Sequence, residues 1–328
     1  MKNSIYAASV LALIAGVIIG CKKNTIKQET EATKSTSVNN TNNQRTLTEL
    51  NVTTANNMLV FKTSADYVNI VENQLVDERN VFLNDVKNMD FLSYAEVVAL
   101  QPNNDVIKDE FVSQILNKDF VVQIGNYLYK LNKVTEYVYV LPVANIAMYA
   151  DLVNENTANP NIKRYTTEQS VIELVENGNA GGKLASICVE TGVGQRSDFT
   201  NMPNGISSAG TPITATLRHS KFGIYFDIVI DASQSFLTTN QNDYFSFEFN
   251  SGAGLAVYKR RCNSLSNVSP LTSPGTVAGQ TPAVYSKYKP SQTAGNYSKY
   301  RLNAVVKYYN AANVLVSTSR NLEIRVNL

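Results

Sequence analysis

Ile213-Thr-Ala-Thr-Leu-Arg-His-Ser-Lys-Phe-Gly-Ile-Tyr-Phe-Asp-Ile-Val-Ile230 is the stretch on which the fold turns. Ile213, Ala215 and Leu217 are apolar, with polar residues between them. Phe222, Ile224, Phe226, Ile228 and Ile230 repeat that spacing. Successive side chains of a strand point to opposite faces. Period-two alternation therefore predicts strands with one buried and one polar face. His219-Ser220 between the two runs reads as a hairpin turn in solvent.

The pattern continues toward the carboxyl end. Phe245, Phe247 and Phe249 alternate with Ser246 and Glu248, and Leu255 to Lys259 is a further short strand. Tyr300, Leu302, Ala304 and Val306 lead to a turn at Asn310 to Asn313. Val314 to Ser317 follows, then Leu322, Ile324 and Val326. Many short strands, each with one apolar face, predict an all-β antiparallel sandwich domain over 183–328. Ser264 to Pro290 is rich in Ser, Pro, Gly and Thr and reads as a long loop.

On the amino side, Asn177-Gly-Asn-Ala-Gly-Gly182 is a cluster of breakers and marks a boundary. Before it the signals mix. Met58-Leu-Val-Phe is a short strand, and Ser64 can cap a helix carrying Tyr67, Ile70, Val71 and Leu75 at helical spacing. Phe82, Val86 and Met89 mark a second helix, and Ile107, Phe111 and Ile115 a third. Phe120 to Leu141 predicts a three-stranded meander with turns at Gly125-Asn126 and Asn132-Lys133. Helical stretches near 143–152 and 167–176 complete an α+β amino-terminal unit over 58–178. The helical stripes are read as core.

Met1 to Cys21 sets the expected location. Lys2 precedes an uncharged apolar run from Ile5 to Ile19, too short for a comfortable membrane span. Ile18-Ile-Gly-Cys21 resembles the lipobox of bacterial lipoproteins. That resemblance implies cleavage of a signal peptide (1–20), lipidation of Cys21 and a palmitate-bearing terminus anchored in the outer membrane of a cell envelope. Two or more acyl chains hold a protein stably, at about 0.8 kcal/mol per buried CH2. Residues 21–57 are polar, with runs such as Asn39-Asn-Thr-Asn-Asn-Gln44, and read as a flexible tether. Gln123-Ile-Gly-Asn126 followed by Tyr-x-Tyr resembles uncharacterised cell-envelope lipoproteins of the Bacteroidota. No activity comes with that resemblance.

The net charge is +2 and no basic block stands out, so no nucleic-acid partner is expected. Export would place Cys188 and Cys262 in an oxidising compartment, where the two are candidates for a disulfide. Two buried free thiols are the alternative. His219 is the one histidine, and no Gly-x-Ser-x-Gly accompanies it. Zinc would need several histidines or free cysteines. Asp227 and Asp231 share the polar face of one strand, with Glu248 on another. Such carboxylates could serve a glycosidase or bind calcium, but without calcium-loop spacing they read as solvent-facing acids. Asp198 to Gly205 reads as a loop without an EF-hand pattern. Tyr285, Tyr288, Tyr297, Tyr300, Tyr308 and Tyr309 suit either an interface or plain strand formation. Lys259-Arg-Arg261 reads as a solvated strand end.

The expectation is thus no catalytic set, no cofactor and no metal. A lipid-anchored envelope protein would present a binding or structural surface to a protein or glycan partner. A carbohydrate-active hydrolase using carboxylates is the alternative.

Overall fold

A computed structural model describes residues 50–72, 82–100, 107, 109–178, 194–206, 212–234, 243–249, 256–261, 264–267, 275–277 and 285–326. The signal segment, Cys21, Cys188 and Cys262 lie outside the described residues, as does the breaker cluster after Gly178. Gln44–Leu328 form one compact unit. Within it an α+β part precedes an antiparallel β-sandwich.

The α+β part is a six-stranded sheet in sequence order: β1 (Val52–Ala55), β2 (Met58–Phe61), β3 (Val121–Ile124), β4 (Tyr127–Asn132), β5 (Tyr137–Pro142) and β6 (Lys163–Thr166). Only the β2–β3 pairing is parallel. That crossover holds three helices, α1 (Ser64–Glu72), α2 (Tyr94–Leu100) and α3 (Glu110–Ile115), and a helical turn over 82–86. After β5 come a 3-10 helix, Val143–Met148, and α4 (Tyr149–Val153); α5 (Val171–Glu176) follows β6.

Alternation along the strands sends side chains into two cores. Leu59, Phe61, Val122, Ile124, Tyr129, Val138 and Val140 face one, with Tyr67, Ile70, Phe82 and Phe111 from the helical segments. Met58, Val121, Leu128, Tyr139 and Leu141 face the other, under Leu152 of α4.

The fold begins earlier than the sequence suggests. β1 lies inside the stretch read as tether, and Leu50 and Val52 are buried. Asn56 and Asn57, both at positive φ, make the two-residue turn into β2. The cap of α1 is Thr63 rather than Ser64. Thr63 Oγ1 accepts from Asp66 N at 3.1 Å, and Asp66 Oδ2 accepts from Thr63 N at 3.0 Å. The expected meander is present, with Gly125 at φ +57 between β3 and β4.

The sandwich has a four-stranded sheet ordered β15-β10-β9-β8: β8 (Ser197–Ile206), β9 (Pro212–Lys221), β10 (Phe226–Gln234) and β15 (Tyr285–Thr293). The second sheet is built on β16 (Asn296–Tyr309), 14 residues long. Along one edge β16 pairs with β12 (Ala256–Arg261) and β11 (Tyr244–Phe249). Along the other it pairs with β17 (Leu315–Thr318) and β18 (Leu322–Val326). β7 (Gly194–Gln195), β13 (Ser264–Asn267) and β14 (Gly275–Val277) extend this sheet.

Ile213, Ala215, Leu217, Phe226, Ile228 and Ile230 from one sheet meet Phe245, Phe247, Tyr300, Leu302, Val306 and Ile324 from the other. Each fully buried Leu, Ile, Val or Phe among them contributes about 1.5–3 kcal/mol. Two expected loops are strands: Asp198 to Gly205 lies in β8, and Ser264 to Pro290 contains β13, β14 and most of β15. Among the described residues no helix is long and apolar enough to cross a membrane.

The two parts share a core. β9 and β10 meet at a tight turn over 222–225, where Phe222 N donates to Tyr225 O at 2.9 Å and Gly223 has φ +77. The tip enters the α+β part: Phe222, Ile224 and Tyr225 belong to the core of α1 and α3, joined by Ala294. Tyr225 stacks on Phe111 with ring centres 5.1 Å apart. Tyr67 Oη donates to Ile224 O at 3.1 Å, and Val171 N donates to Gly223 O at 2.9 Å. At the end of α1, Glu72 Oε1 accepts from Thr293 Oγ1 at 2.5 Å and from Ala294 N at 3.2 Å.

Candidate functional site

The outer face of the four-stranded sheet carries the polar residues of the alternating pattern. Arg218 and Ser220 of β9, Asp227, Val229 and Asp231 of β10, and Lys287 and Lys289 of β15 fall on it by parity and register. This face is covered in part by the α+β part. Between them lies a cleft of about 760 Å3, closed on the far side by Asp109, by Lys133 and Glu136 of the β4–β5 turn, and by Thr167 and Glu168.

Charges in the cleft are mostly matched. Arg218 pairs with Asp231. Lys221 Nζ lies 2.5 Å from Glu168 Oε2, and Arg196 reaches the same oxygen at 4.0 Å. Lys287 lies 3.1 Å from Glu110. Lys133 is different. Its Nζ donates to Lys221 O at 2.9 Å and sits 4.9 Å from the centre of the Phe222 ring. Among the described residues no carboxylate lies within ion-pair distance of it. Burial holds its pKa below the ordinary lysine value, against the pull of Glu136 and Glu168.

At the inner edge is a buried triad. Lys289 Nζ bridges Asp109 Oδ2 at 2.5 Å and Asp227 Oδ2 at 3.0 Å. It also donates to Tyr225 Oη at 3.1 Å. Asp109 caps α3 as well, through Val112 N at 3.0 Å. Asp227 is wholly buried, and among the described residues its Oδ1 has no hydrogen-bond partner. Burial, with the neighbouring Asp109 charge, pushes the Asp227 carboxyl up to about 6. Asp109 is held below the ordinary carboxylate value by Lys289 and Val112 N in spite of burial. Asp227 and Asp109 also interact directly through their side chains, which raises the one and lowers the other.

Asp227 and Asp231 are on one face, as the alternation indicates, but neither faces solvent. Glu248 lies on the other sheet, paired with Lys307 at 2.6 Å, and lines no part of the cleft. The carboxylates considered for hydrolysis are therefore not assembled together.

His219 is not in a turn. It lies within β9, on the sandwich side, packed edge-on against Tyr297 and Tyr300 at 5.2 and 5.3 Å. Its Nδ1 shares a hydrogen bond with Tyr300 Oη at 3.0 Å. Burial drives its pKa well below the ordinary value, so the ring is neutral. Tyr297, Tyr300 and Tyr308 are core residues, while Tyr309 stacks on Tyr244 at 5.0 Å. Asp198 accepts two bonds from Arg320, at 2.5 and 2.8 Å, and ties β8 to the chain leading into β18. Lys259-Arg-Arg261 ends β12.

Sequence reasoning missed Asp109, Lys133 and Lys289. One signal was available: Lys287 and Lys289 alternate in a stretch otherwise taken for loop. Among the described residues no group of three His, Cys, Asp or Glu is placed to hold a metal ion. No family model, curated protein or solved structure matches this chain.

Asp227 gives a pH prediction. Its pKa is raised from 3.8 to about 6, so its contribution to stability is full below pH 3.8 and is lost as pH rises through 6. At about 1.36 kcal/mol per unit the loss is about 3 kcal/mol. Asp227→Asn should flatten the fall in stability between pH 4 and 6. It should also be more stable than the parent at pH 7.5, because Asp109 and Lys289 then form a neutral pair. Urea melts across that range check this; parallel curves for parent and variant would contradict it.

Proposed function

We propose that this protein is a lipid-anchored component of the bacterial cell envelope, held in the outer membrane through Cys21. Its folded body binds a protein or glycan ligand without chemical turnover. The observation that carries the binding half is the cleft. It has the volume of a small-ligand site and converges charged side chains from two layers of the fold. The lipobox-like Ile18-Ile-Gly-Cys21 and the polar run after it support the anchoring half.

A hydrolase that uses carboxylates is the weaker reading. Asp227 and Asp109 do have pKa values pushed in opposite directions, as an acid and base pair would. Both carboxyls, however, are committed to Lys289, and Asp227 is sealed from solvent.

Two measurements test the proposal. Cys21→Ser should leave an unprocessed or soluble species that no longer partitions with membranes. A variant of parental size that still partitions with them would overturn the anchoring half. For binding, full-length protein should capture a ligand from glycan arrays or envelope extracts, and alanine substitutions lining the cleft should abolish capture. Hydrolysis of an envelope polysaccharide, lost on substitution of Asp109, would favour the enzyme instead.

A further inference from the structure

We propose that the cleft takes an acidic saccharide, with the Lys133 ammonium receiving the ligand's carboxylate. This rests on the binding role proposed above and names the chemistry of the ligand.

The lining selects against other classes. Its apolar side chains are few: Phe222, whose ring lies under Lys133, and Val229. The rest of its apolar surface is the stems of charged side chains, and a wholly apolar ligand would desolvate those charges without pairing them. Six ammonium or guanidinium groups face the cleft against four carboxylates. A dense polyanion would meet those carboxylates and be repelled. A polyhydroxylated ligand suits the mixture, because carboxylates such as Glu168 accept from hydroxyls while Ser220 and the cations donate. Glu110 and Asp227 also pair with Lys287 and Lys289, so among the described lining cations Lys133 is the one without an ion pair, and one singly charged group is matched better than a phosphate dianion.

Lys133 is where that group belongs. It is half-buried, has spent one of its three donors on Lys221 O, and has no carboxylate within ion-pair distance among the described residues. A ligand carboxylate would complete an ion pair already sheltered from water, and such charge-assisted bonds are the strong ones. Arg218 is held on the opposite wall by Asp231 and is fixed there for ligand hydroxyls or ring oxygens.

The experiment is calorimetric titration of the full-length protein in detergent with trigalacturonic acid, its neutral galactose counterpart and galactose 1-phosphate. Lysine methylation of the parent is footprinted in parallel. Expected are saturable uronate binding, binding of the neutral trimer at least tenfold weaker, and protection of Lys133 by the uronate. Lys133→Met should weaken uronate binding about tenfold or more. Lys307→Met, on the other sheet, should leave it unchanged.

Absence of uronate binding, or uronate binding with Lys133 neither protected nor needed, overturns the assignment. The footprint decides even if Lys133→Met fails to fold. A neutral trimer that binds equally well overturns the acidic ligand while leaving a glycan-binding cleft. Tighter binding of galactose 1-phosphate replaces the carboxylate by a phosphate. If no sugar binds but a protein is captured through the cleft, this inference fails and the binding role stands.

Discussion

Lys289→Met is expected to lose about 3–5 kcal/mol of folding stability at pH 7.5, the cost of leaving buried charge without its partner. Asp109 and Asp227 would then face one another with no cation between them. The carboxylates differ in what else they have. Asp109 keeps the α3 cap, whereas among the described residues Asp227 keeps only the weak contact from Tyr225 Oη at 3.4 Å. Protonation relieves the repulsion. Lys289 also holds the Asp227 carboxyl down, so in the variant protonation begins above 6 and the deficit should shrink as pH falls from 7.5 toward 6. Denaturant titrations of parent and variant at pH 7.5 and 5 measure both effects. A loss under about 1 kcal/mol at pH 7.5, or one independent of pH, would mean the triad does not bear the charge balance described. Lys289→Met combined with Asp227→Asn should recover part of the loss, because one buried charge is removed with each substitution.

Gly223→Ala is the second large effect. The residue has φ +77, a region that costs a side-chain-bearing residue roughly 1–2 kcal/mol. An added Cβ would also lie 2.5 Å from Val138 Cγ2 and 3.2 Å from Val171 Cγ2. Overpacking of that kind typically costs about 1–3 kcal/mol. The expected loss is therefore about 2–5 kcal/mol. The cause can be separated by a double-mutant cycle with Val138→Ala, which makes room for the new methyl. Coupling on the order of 1 kcal/mol between the two substitutions would identify the clash. Additive effects would assign the cost to backbone conformation alone. A Gly223→Ala protein within about 0.5 kcal/mol of the parent would contradict both accounts.

Much of the architecture was legible because alternation is a direct consequence of strand geometry. Ile213 to Ile230 read as two strands and Phe245 to Phe249 as a third from parity alone, although Phe222 and Ile224, counted into the second, form the turn before it. Parity says which residues share a face, but not what covers that face. Asp227 and Asp231 were placed together correctly and taken for solvent-facing acids. The α+β part covers Asp227, and no pattern within β10 reports that.

His219 shows the converse. It continues the parity of Ile213, Ala215 and Leu217, and its burial follows from that series. Its polarity and the following serine suggested a turn instead. The turn lies three residues later, where Gly223 alone in the hairpin lacks a side chain. The roles of Lys133 and Lys289 were hidden for another reason, although the alternation of Lys287 and Lys289 marked a strand. Each acquires its role from residues tens to more than a hundred positions away, and a single chain of letters does not report such pairings.

The shared core also bears on how this sequence can change over generations. Phe222, Ile224 and Tyr225 complete packing begun around α1 and α3. A recombination joint near residue 180 would separate a wedge from its socket. Exchange of either half with a foreign counterpart would expose apolar surface on both products. Enlargement of Val138 is likewise constrained by the bare Cα of Gly223. The two halves are bound to a common history, and drift in one is filtered by the other.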